Sequence, residues 1–257
     1  MNILTYLRLD LWRNLRNFTN TFFIAVLPLF IFLAVEVPSD FSTVPLPSGH
    51  GNTSAYVLLG ISVYGAANAM TSLAGAAAVE IESGWGRQLA LTRLPDGGFV
   101  LVKTLVAAAA AILPIVVLNI AGLASSTEMT PGRWVLTAGL SLVGALPFAL
   151  FGLAAGLAFR SDAAVGAASG ILVILGFAGN AFIPLGGALL EAGRYTPMYG
   201  ATALARYPVT DGDVFDPGAV SYARHEDLWF VLANLAAWTI VFAAACVVLR
   251  RRRATRR

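Results

Sequence analysis

Six long apolar stretches dominate the chain: residues 20–37, 55–79, 99–124, 134–159, 163–190 and 228–249. A helix needs roughly 20 mostly apolar residues to cross about 30 Å of hydrocarbon. In lipid the backbone must find its hydrogen-bond partners inside the chain, and a run of this length does so as a helix. The predicted fold is an all-α membrane protein with six transmembrane helices. Composition agrees: 12% of residues are charged, against about 25% in a soluble domain. Cys246 is the single cysteine and lies in an apolar run, which excludes a disulfide framework and a cysteine-based metal site. His50 and His225 are far apart and outside the runs. No cleavable signal peptide is expected, because Pro28 interrupts the first apolar run and no Ala-x-Ala-like site follows it.

Lysines and arginines set the orientation. Six spans put both termini on one side, and 13 of the 17 Lys and Arg fall there, including Arg8, Arg13, Arg16, Arg87, Arg93, Lys103, Arg160 and the tail RRRRATRR at 250–257. Arg133, Arg194, Arg206 and Arg224 fall on the other side. Both termini are therefore expected in the cytoplasm. The basic tail reads as a topology anchor, with an anionic-lipid contact as the competing reading. No Asp, Glu, Arg or His lies deep in a span; such groups are costly there and commonly mark proton pathways. Asn68, Asn119, Asn180 and Asn234 are expected to make interhelical hydrogen bonds.

Residues 1–19 form an amphipathic segment before the first span. Ile3, Leu4, Leu7, Leu11, Leu15 and Phe18 share a helical face, Arg13 and Arg16 lie opposite, and Trp12 sits near the boundary. This predicts an interfacial helix on the cytoplasmic surface, or else a simple extension of the first span. Pro28 is expected to kink the first span, and Pro114 and Pro147 the third and fourth. Gly152-x3-Gly156, Gly166-x3-Gly170 and the run 74–78 suit close helix contact, within one chain or between two. The fifth run, 163–190, is broken by Gly176, Gly179, Pro184, Gly186 and Gly187. It predicts a helix ending near Asn180, then re-entrant or outward-facing pieces with a short helix near 201–206, inside an external loop at 191–227. Asp211, Asp213 and Asp216 lack the spacing and closing Glu of a calcium loop.

Between the second and third spans, residues 80–97 read EIESGWGRQLALTRLPDG. Trp85, Leu89 and Leu91 supply apolar contact, while Glu80, Glu82, Arg87 and Arg93 supply charge; Gln88 lies among them. Gly84 and Gly86 loosen the entry and Pro95 stops the exit. A short cytoplasmic helix docked on another protein suits both properties. An interfacial loop that merely returns the chain is the alternative.

Four features in order resemble the permease subunits of type-2 ATP-binding-cassette exporters. They are the amphipathic helix before a Pro-containing span (LWRNLRNFTNTFFIAVLPLF), the segment EIESGWGRQLALTRLPDGGFVLVK, the turn NAFIPL followed by TPMYG, and the basic tail. The second is similar in tone to the drug and natural-product branch, although Asp96–Gly98 stands where that branch is richer in proline. The resemblance implies that residues 80–97 are a coupling helix seated in an ATPase subunit. It implies that Asn180, Phe182, Ile183, Pro184 and Leu185 belong to an outer hydrophobic gate and re-entrant helices between spans five and six. It implies a second permease copy, pairing through the first and fifth spans, in a bacterial plasma membrane. Phe22, Phe23, Phe30 and Asn68 are candidates for the path of an amphipathic small molecule, and Phe182 adds aromatic surface; packing is the competing role for each.

The chain carries no phosphate-binding loop. Gly97–Thr104, GGFVLVKT, has Val102 where the second glycine belongs, and Lys103 reads as an interfacial snorkelling residue. No cofactor is expected in this chain; ATP and Mg would belong to a separate ATPase. No nucleic acid is implied, and lipids and a small-molecule substrate complete the expected partners. A lipid-linked polysaccharide is the alternative cargo. A membrane-embedded enzyme lacks a converging set of acids, histidines or metal ligands, and a proton-coupled carrier lacks intramembrane charge and an inverted repeat.

Overall fold

The computed structural model describes residues 3–36, 42–82, 98–216 and 223–254. The helices are α1 (Ile3–Arg16), α2 (Phe18–Thr21), a π-helical turn (Phe22–Val26), α3 (Leu27–Glu36), α4 (Thr53–Glu82), α5 (Gly98–Leu123), α6 (Pro131–Phe159), α7 (Asp162–Ala178), α8 (Gly187–Gly193), α9 (Pro197–Thr210) and α10 (Leu228–Ala254). A two-stranded antiparallel ribbon, β1 (Asp213–Phe215) and β2 (Ala223–His225), pairs Val214 with Arg224.

Helix α4 is the axis of the bundle. In its most apolar window 89% of residues are buried, against 17% in α10, which lies on the outside. Its sequence explains this: Gly60, Gly65, Ala66, Ala67, Ala69 and Gly75 leave little side chain to hold neighbours away. Gly152 and Gly156 of α6 complete the contact. A Cβ on Gly152 would stand 2.0 Å from the Thr71 carbonyl oxygen, and one on Gly156 2.4 Å from that of Gly75. The backbones touch, and the Thr71 hydroxyl donates to the Phe148 carbonyl at 3.1 Å. The Gly152-x3-Gly156 pattern is thus spent inside the chain. Gly166 and Gly170 lie on the open face of α7, where an added Cβ would meet nothing within 4 Å.

The first span carries a π turn just ahead of Pro28. At Leu27 the N–H donates to Phe22, five residues back, in the π register. In that register the next donor, residue 28, should serve the Phe23 carbonyl, but Pro28 has no N–H. The Asn68 side-chain amide donates to that carbonyl instead, at 2.9 Å. Helices α5 and α6 continue through Pro114 and Pro147, and Gly65 makes room for Pro114, whose Cβ would lie 2.8 Å from an added one. At the end of α3, buried Glu36 accepts from the Ser54 hydroxyl and from the Ser126 N–H and hydroxyl. That ties α3 to the start of α4 and to the α5–α6 turn.

Helices α4, α5, α6 and α10 are long and apolar enough to cross a membrane. The other two expected spans are shorter, at Phe22–Glu36 and Asp162–Ala178. The outer surface is apolar, with Phe30, Ile120, Val135, Phe159, Ile174 and Ile240 all two-thirds exposed or more except Ile120, at 61%. So large an apolar surface is what a chain presents to lipid or to another chain. The run 163–190 breaks where its glycines and Pro184 place the break: α7 stops at Ala178, and Asn180 takes a left-handed φ of 60°. The expected short helix at 201–206 is longer, Pro197–Thr210, because Thr196-Pro197 supplies a favourable start and Asp211 takes the left-handed cap.

Candidate functional site

Each end of α4 carries a cluster of polar contacts among the described residues. Most of the expected coupling segment, Gly84, Trp85, Arg87, Gln88, Leu89, Leu91, Arg93 and Pro95, lies outside the described residues. Its two edges are described. Glu80 is in the last turn of α4, whose final residue is Glu82, and Lys103 is early in α5. Because α4 and α5 are consecutive and packed together, both residues lie at the same end of the bundle, where α1 also packs.

Lys103 does not snorkel to solvent. Its Nζ is 2.9 Å from Asp10 and 2.7 Å from Glu80, and its side chain is 9% exposed. Nor does Arg13 stand alone on the solvent face of α1; its Nη2 meets Glu80 at 2.6 Å and Asp10 at 2.9 Å. Among the described residues, the four charges alternate in sign around a ring. Pairing of this kind is what makes a buried charge tolerable. Asp10 is not among the residues that the sequence singles out, yet a signal is present. It stands one turn from Leu7 and beside Leu11 on the apolar face of α1, and a lone acid on such a face requires a partner. Leu7 and Leu11 do pack on the core, while Leu4, Leu9 and Trp12 face outward.

At the opposite end, the link from α7 to α8 turns through Asn180. Its side-chain amide donates to the Tyr56 hydroxyl at 3.0 Å, and its Oδ1 accepts from the Leu185 N–H at 2.9 Å. Arg206 of α9 closes the cluster. Its Nε donates to the Tyr56 carbonyl, Nη1 to that of Asn180 and Nη2 to that of Ala181, at 2.8, 2.6 and 3.1 Å. The guanidinium carbon lies 3.6 Å from the centre of the Tyr56 ring. Gly60 must lack a side chain here, since a Cβ would sit 2.1 Å from the Ala181 oxygen and 2.2 Å from Arg206. From sequence Arg206 counts only as an outward-side arginine. Its flanks, ATALA and Pro208, hold the signal for more: a cation in a run of small residues.

The expected gate residues divide. Phe182 is buried, in edge contact with Tyr64 at 4.8 Å and Phe177 at 4.9 Å between ring centres. Ile183 is 45% exposed, and Pro184 and Leu185 are half-buried. Helices α8 and α9 both return to the end of α7. Gly193 approaches the Ala178 carbonyl, and the Thr202 hydroxyl donates to the Gly179 carbonyl at 3.1 Å. Asn234 of α10 supports the same turn through the Arg194 carbonyl, at 2.7 Å. The three aspartates point apart: Asp211 pairs with His50 and Arg133, Asp213 with His225, and Asp216 accepts from the Gly187 N–H.

Of the candidate path residues, Phe22, Phe23 and Phe30 are exposed on the face of the first span. Asn68 is buried, and its side-chain amide donates to the Phe23 carbonyl. Compared with protein-family models and with curated proteins, the chain matches none.

Proposed function

We propose that the chain is the membrane-spanning permease of a type-2 ATP-binding-cassette exporter, with six spans, both termini in the cytoplasm and α8–α9 as a re-entrant hairpin. The observation that carries this reading is the course of α4. One continuous helix joins Glu80, at the edge of the 83–97 segment, to Tyr56, in the cluster that holds the hairpin. Those residues are about 36 Å apart along the helix at 1.5 Å per residue. A push on the segment therefore reaches the hairpin through one stiff rod.

In this reading a separate ATPase subunit binds ATP and Mg and seats the 83–97 segment. Closure of that subunit displaces the segment, α4 shifts, and the hairpin with Ile183 at its edge opens the outer side. The open small-residue face of α7, with the exposed aromatic face of Phe22, Phe23 and Phe30, supports pairing with a second permease around a path for an amphipathic small molecule. The setting proposed is a bacterial plasma membrane.

The test is co-purification with the ATPase encoded beside this chain, in wild type and in Arg87→Glu plus Leu89→Asp. Retention by the wild type and release by the folded double variant is the expected result. Absence of any ATPase, with activity that collapses when a proton gradient is dissipated, would replace this reading with a proton-coupled carrier.

A further inference from the structure

The ring of Asp10, Lys103, Glu80 and Arg13 joins three separate elements. Lys103 and Glu80 bracket the 83–97 segment from its two sides, and Asp10 and Arg13 come from α1. The burial is graded: Asp10 is 2% exposed and Lys103 9%, whereas Glu80 is 24% and Arg13 57%. Apolar packing through Leu7 and Leu11 already holds α1 against the bundle. The charges add something that packing does not, which is a fixed rotation and register. Asp10 and Arg13 stand one turn apart on α1 and are gripped at two points, so α1 cannot pivot about either. Loss of Asp10 or Lys103, the two buried members, leaves an unbalanced charge beside the other at the dry side of the ring.

We propose that this ring is a clutch that makes α1, the end of α4 and the start of α5 one rigid unit, so that displacement of the 83–97 segment carries α1 with it. Lys103 is its hub and acts as a positioning residue. The displacement by an ATPase rests on the function proposed above; the rigid unit does not.

Two spin-label distances test it in lipid nanodiscs, in a Cys246→Ser chain. The first pair, Thr5→Cys with Leu105→Cys, spans α1 and α5 at exposed sites. With the ring intact the distance distribution is narrow, and Lys103→Arg keeps it so. Lys103→Met broadens it. The double variant Asp10→Asn with Lys103→Met, which strands no buried charge and so guards against simple misfolding, also broadens it. The second pair, Thr5→Cys with Val135→Cys, is read with the ATPase subunit bound, before and after adding ATP and Mg. The intact ring gives a shift in distance, and the double variant loses at least half of that shift while still retaining the ATPase. A distribution that stays narrow in both ring variants overturns the proposal. So does an ATP-dependent shift that is absent in the wild type or undiminished in the double variant. If no ATPase associates, the exporter reading falls and the first pair alone decides the rigid unit.

Discussion

Lys103 and Arg206 are both buried cations at opposite ends of α4, and they are neutralised in different ways. Lys103 is held by two carboxylates, in a ring that balances formal charge. Arg206 is held by three backbone carbonyls and the face of Tyr56. The first arrangement depends on charge, and either kind of cation can serve it. The second depends on shape, because only a planar fork reaches three carbonyls that diverge from two chain segments. The contrast sets the two ends apart: one gathers side-chain partners from three helices, the other backbone partners from two chain segments.

The sharpest break of that comparison is Arg206→Lys. It should destabilise the protein by on the order of 3 kcal/mol, since two or more buried carbonyls lose their donor, read as a lower Tm in detergent. Lys103→Arg should cost far less. A Tm for Arg206→Lys equal to wild type would remove the distinction between shape and charge. Next in size, Lys103→Met should cost about 2–3 kcal/mol by leaving Asp10 buried with Arg13 alone, and adding Asp10→Asn should restore part of it. If the double variant is no better than the single, the ring is not held by charge balance.

Gly152→Ala sharpens the role of α4 as the rod between the two ends. The added Cβ meets the Thr71 oxygen, so overpacking should cost about 1–3 kcal/mol. Gly166→Ala, at an open position, should stay within about 0.5 kcal/mol of wild type for the monomer; if two copies pair as proposed, any larger effect should appear in that pairing, measured by cross-linking yield. The smallest effect concerns salt. Raising ionic strength to about 1 M shortens the screening length to about 3 Å. It should weaken the half-exposed Arg13–Glu80 contact by less than about 1 kcal/mol and leave the Arg206 cluster unchanged, as read by Tm with and without salt.

Much of the helical layout was legible because it depends on local hydropathy. The runs at 55–79, 99–124, 134–159 and 228–249 are helices, and the break near Asn180 followed from its glycines and Pro184. Pro28 pointed to an irregularity in the first span, but not to its form. The π turn and the Asn68 donor depend on a residue 45 positions away, which no local pattern contains. The same holds for the glycines. Gly152-x3-Gly156 and Gly166-x3-Gly170 look alike as sequence, and only the position of α4 makes the first a tight contact and leaves the second open.

What the sequence determined by itself is that apolar helices of this length form and where they break, since burial of backbone in an apolar medium allows little else. The tertiary structure decided which charges meet. Asp10 and Lys103 are 93 residues apart, and Arg206 and Tyr56 are 150 apart. A pairing energy that exists only within a few ångströms is written in no local run of residues; it arises when α1, α4, α5 and α9 are brought side by side.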